Sequence, residues 1–140
     1  MRESVTVVGD ATITHADYVS GRLWADAVCH SFYPIDLHRL DKDGLDYCVL
    51  PEGVVPTVPL GALIPRNMDG LLVAGRCLSS DRLANSALRT QPCCMATGQA
   101  AGAAAALAAR TATPVRQVPI NQIRDALRKH GAIVPEVPSA

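Results

Sequence analysis

Asp69-Gly70-Leu71-Leu72-Val73-Ala74-Gly75-Arg76 is the stretch on which the fold turns. Asn67 to Gly70 has turn composition, and the four residues after it are apolar without alternation. A short run apolar on both faces, closed at once by glycine, predicts a central parallel strand feeding a tight turn. Ligands of open α/β sheets bind beyond the carboxyl ends of strands, where Gly75 then sits, and a glycine there lets a ligand or another backbone approach closely.

Downstream, Arg89-Thr90-Gln91-Pro92 reads as a helix start, with Pro92 in the first turn and Thr90 or Gln91 near the cap. The helix is expected to reach about Arg110 and to end over Thr111 to Pro114. From Pro92 to Ala109 it carries no charge. It is too rich in Ala and Gly for a membrane span, which needs about 20 strongly apolar residues, so it is expected to be a buried helix. Gly98 and Gly102 lie four apart, and Ala101 and Ala105 repeat that interval. Interior glycines cost a helix roughly 1 kcal/mol each. Close approach to a sheet or a cofactor is one compensation; packing without any ligand is the alternative. The helix N-terminus offers unpaired N–H groups and partial positive charge, which suit a phosphate or an electron-rich carbonyl edge.

Working toward the N-terminus, residues 51–65 carry four prolines, which argue against helix. Asp41 to Gly44 is a turn signal between two extended segments, a plausible hairpin. Residues 26–33 are apolar and predict a strand that Pro34 ends or confines to an edge. Thr14-His15-Ala16-Asp17 reads as a capping box opening a short helix that Gly21 stops, and residues 4–8 alternate as a β-branched strand. Toward the C-terminus, Ile120, Ile123 and Leu127 share one face of a helix over roughly 120–130, with Asp125 and Lys129 as an i,i+4 pair and Gly131 as the stop. Residues 79–86 are expected to be a loop.

Lys+Arg and Asp+Glu are equal at 13 each, so charge gives no reason to expect nucleic acid or an anionic membrane as partner. The cysteines are Cys29, Cys48, Cys77, Cys93 and Cys94, with no C-x-x-C pair, so no metal site is expected. They are expected to be small buried hydrophobes in a reducing, cytoplasmic setting, with a reactive thiol as the other reading. No G-x-S-x-G elbow supports hydrolase chemistry.

Residues 69–79 and 89–102, together with Arg2 to Ser4, Val8 to Asp10 and Tyr33-Pro34-Ile35-Asp36-Leu37-His38, resemble the C-terminal flavin segment of the FAD-dependent oxidoreductases, which share the architecture of glutathione-reductase-like flavoproteins. The resemblance implies an α/β (or α+β) fold: part of a Rossmann-like FAD-binding domain over 65–140 and part of a β-rich substrate domain over 1–64. It implies that Gly75 and Arg76 approach the ribityl and phosphate region of FAD. Backbone N–H groups near Thr90 and Gln91 would meet the pyrimidine edge of the flavin, and Gly98 and Gly102 would give close packing. Positive character at that edge would favour the reduced ring. His38 would be a proton-transfer group or an ordinary structural histidine. Arg89 would neutralise substrate or flavin charge, or form a surface ion pair, and Arg2 would hold an anionic substrate or be mobile. The G-x-G-x-x-G turn of such enzymes does not occur here, nor does any G-x-G. The chain is therefore expected to be a C-terminal portion, inactive alone, acting on a small-molecule substrate only in the complete enzyme. An apolar face left bare by the missing half is expected to seek another polypeptide or to self-associate.

Overall fold

The computed structural model describes residues 5–38 and 45–138, with the side chains of His38, Leu45 and Asp46 outside that description. The chain is a mixed α/β structure of helices and small antiparallel sheets. Helix α1 spans His15–Val19. Strand β1 (Ala27–His30) pairs antiparallel with β4 (Thr57–Pro59), and β2 (Ile35–His38) with β3 (Leu45–Cys48). Helices α2 (Arg82–Leu88), α3 (Gln91–Thr111) and α4 (Ile120–Lys129) follow.

The capping box forms as its residues demand. Asp17 N–H donates to Thr14 Oγ1 at 3.2 Å, and Thr14 N–H donates to Asp17 Oδ2 at 3.0 Å. Gly21 closes the helix at φ +67. Burial pushes the Asp17 carboxyl up, but the bonds from Thr14 and Arg22 outweigh it and hold the group below its ordinary value of 3.8. A lowered carboxyl contributes stability above its unfolded value and loses it as pH falls through the folded one. Thr14→Ala should therefore cost about 1 kcal/mol near neutrality. The deficit in urea midpoint should shrink in acid, where Asp17 takes up its proton.

The structure departs from several expectations. Leu71–Ala74 is not a strand: both two-stranded sheets are antiparallel, the one parallel bridge among the described residues joins Ile13 to Ser80, and this segment has no regular secondary structure, with Val73 N–H donating to Leu63 O. Leu71 is 44% exposed, so the run lacks the flanking strands that two-sided burial requires. Of the strand expected over residues 4–8, Ser4 lies outside the described residues and 5–8 form no regular strand; Val7 N–H donates to Cys77 O, and Arg66 N–H donates to Val8 O. Residues 79–86 are not all loop. Asp81 accepts from Ala84 N–H at 2.8 Å and caps α2, which buries Ala84, Ala87 and Leu88 at spacings of three and one. Between the prolines a single 3₁₀ turn, Leu60–Leu63, follows Pro59, where a proline's missing N–H costs nothing. The cation that reaches Asp125 is Arg128, at 3.1 Å, rather than Lys129. Cys48 and Cys77 are exposed, unlike buried Cys29 and Cys93. The turn expected at Asp41 to Gly44 lies outside the described residues, although the antiparallel register from Ile35↔Cys48 to His38↔Leu45 is that of a hairpin.

One apolar core joins the elements. Ile13, Tyr18, Val28, Val58, Leu63, Leu78, Leu88, Ile123 and Leu127 belong to it. It draws on segments from both ends of the chain, and α3 lies across it on one face only. Cys93, Thr97, Ala100 and Ala104 are buried there, at helical spacings of four, three and four. The opposite face is bare: Met95 is 75% exposed, and a Cβ added to Gly98 or Gly102 would meet nothing within 4 Å. The expectation of a buried helix is thus corrected to one buried along a single face.

Candidate functional site

The turn Gly75–Cys77 packs against the first turns of α3. Gly75 is buried at φ +64, a conformation that other residues adopt only with strain. Its N–H donates to Thr97 Oγ1 at 3.0 Å, and its carbonyl accepts from Leu78 N–H at 3.2 Å. Thr97 in turn donates to Cys93 O at 2.7 Å, so a hydroxyl inside the Ala-rich helix fixes the turn. A Cβ on Gly75 would lie 3.1 Å from Cys94 Sγ. Arg76 is exposed beside it, and its carbonyl accepts from Asn85 Nδ2 at 3.3 Å.

The start of α3 is open. Thr90 is the N-cap residue, but its side chain makes no capping bond; its hydroxyl donates back to Ala87 O at 3.1 Å. Pro92 has no N–H to give, and Cys94 N–H is the first to close on Thr90 O, at 2.9 Å. The amides of Gln91 and Cys93 precede that first closing bond. The helix behind them is 21 residues long, so the positive end of its dipole is fully developed. Arg89 sits at the joint between α2 and α3 and donates from Nη2 to Asp36 O at 3.2 Å.

Thus Gly75, Arg76, Thr90 and Gln91 gather where the Gly75–Cys77 turn meets the α3 start. Arg89 bonds to β2 at Asp36, two residues before His38, whose side chain lies outside the described residues. Gly98 and Gly102 lie farther along α3, on its bare face. Arg2 is outside the described residues. Sequence reasoning passed over Asp36. Its N–H donates to Ser86 Oγ at 3.2 Å, and its Oδ1 is buried without a hydrogen-bond partner among the described residues. It also missed Thr97 and Cys94. A threonine inside a run of alanines was the available signal, because such a hydroxyl bonds back along its own helix.

The thiols nearest the core, Cys29 and Cys93, are buried. Burial pushes Cys93 up to about 12, and burial likewise raises Cys29. Both are protonated at neutral pH, as the reading of small buried hydrophobes requires. Among the described residues no helix is long and apolar enough to cross a membrane.

The family model described as FAD dependent oxidoreductase matches residues 1–127. The chain belongs to this family. Comparison with curated proteins and with solved structures finds no match. Membership of the FAD-dependent oxidoreductases implies an oxidoreductase role in general and a flavin as cofactor. The start of α3 fits such a group: it has no side-chain cap and carries positive dipole character for a ring carbonyl. At Gly75 the fit is limited to backbone shape, because its N–H and carbonyl are engaged within the chain.

Proposed function

We propose that this chain is the C-terminal part of a glutathione-reductase-like FAD oxidoreductase that, in the complete enzyme, transfers hydride between an organic substrate and flavin. The uncapped start of α3, held against the Gly75–Cys77 turn, carries this reading. The amide of Gln91 and the chain around Thr90 face the pyrimidine edge of the ring. Gly75 shapes the turn, and Arg76 extends from it toward the ribityl and phosphate region. Gly98 and Gly102 let a further layer of the FAD-binding domain approach α3 closely. Arg89 offsets negative charge on substrate or ring, and His38 handles a substrate proton. Flavin supplies the hydride acceptor when bound. Residues 1–64 then form part of the substrate domain and residues 65–140 part of the FAD-binding domain.

The bare, uncharged face of α3 favours a second reading: a non-catalytic module that completes a flavoprotein with another polypeptide or with a second copy of itself. Incubation with FAD followed by desalting separates the two. Absorbance near about 450 nm that stays with the protein would support cofactor binding by this chain itself. Colourless protein, with a mass by light scattering above that of one chain, would favour assembly and remove cofactor binding from this chain alone.

A further inference from the structure

We draw no further inference here: the strongest candidate, the apolar pocket between β1 and the first turns of α3 that His30 lines with a buried Nδ1 lacking a hydrogen-bond partner among the described residues, belongs to the site already described, since Thr90 and Pro92 of the α3 start line it too, and nothing in the structure selects its occupant.

Discussion

Arg124→Ala should lower the stability of the chain by about 3 kcal/mol, close to the upper range for removing one charged hydrogen-bonding group. Arg124 sits on α4 and is only 5% exposed. Its Nε donates to Ala27 O at 2.9 Å and its Nη2 to Ala25 O at 2.7 Å. The last helix is thereby tied to the start of β1, nearly a hundred residues earlier, through two carbonyls of fixed position. Burial works against the charge and lowers the Arg124 pKa, so part of the gain from each bond is already spent on desolvation. The alanine variant loses the bonds and the packed stem together. Arg124→Met separates them: it keeps most of the stem and should cost about 2 kcal/mol if the bonds dominate. Arg124→Lys should not rescue, because a single ammonium cannot span both carbonyls as the planar fork does. Urea midpoints at unchanged m-value measure all three. A midpoint unmoved by the alanine variant would show that the tie carries no weight.

The sequence announced what is decided locally. Thr14 and Asp17 satisfy each other within one turn, so the box could be read from four residues. Pro92 at the start of α3 and Gly131 after α4, at φ +77, are equally local. Leu71–Ala74 misled because an apolar run specifies burial on both faces only if neighbouring strands are there to supply it. The chain instead leaves Leu71 partly in solvent. Helix α2 went unread because Ser79, Ser80, Asn85 and Ser86 have turn composition, yet Asp81 caps and Leu88 buries. At the candidate site the residues around the α3 start were legible through Pro92 and the glycine turn. Their fastening was not: the bond from Gly75 to Thr97 joins positions 22 residues apart, and no pattern in the chain encodes it. The orphan atoms on Asp36 and His30 are also products of packing, invisible until β1 and β2 are placed against their neighbours.

Gly75→Ala bears most directly on the flavin-facing corner. Two independent costs combine there. The left-handed backbone, φ +64, is roughly 1–2 kcal/mol less favourable for alanine than for glycine. The new methyl would also lie 3.1 Å from Cys94 Sγ, tighter than such atoms usually approach, so the Cys94 side chain or the turn must shift by a few tenths of an ångström. Together they should cost about 2–3 kcal/mol. Adding Cys94→Ala should recover the contact and leave the backbone penalty, so the double variant should regain less than half. Thr97→Val attacks the same turn without touching its dihedral, leaving the buried Gly75 N–H without an acceptor at about 1–3 kcal/mol. Comparing these variants tests more than stability. If the turn and the α3 start hold flavin together, both Gly75→Ala and Thr97→Val should lose FAD retention beyond what their unfolded fraction explains, since each shifts Arg76 relative to Gln91. If retention simply follows stability, the turn is a structural brace, and any flavin rests on the helix start alone.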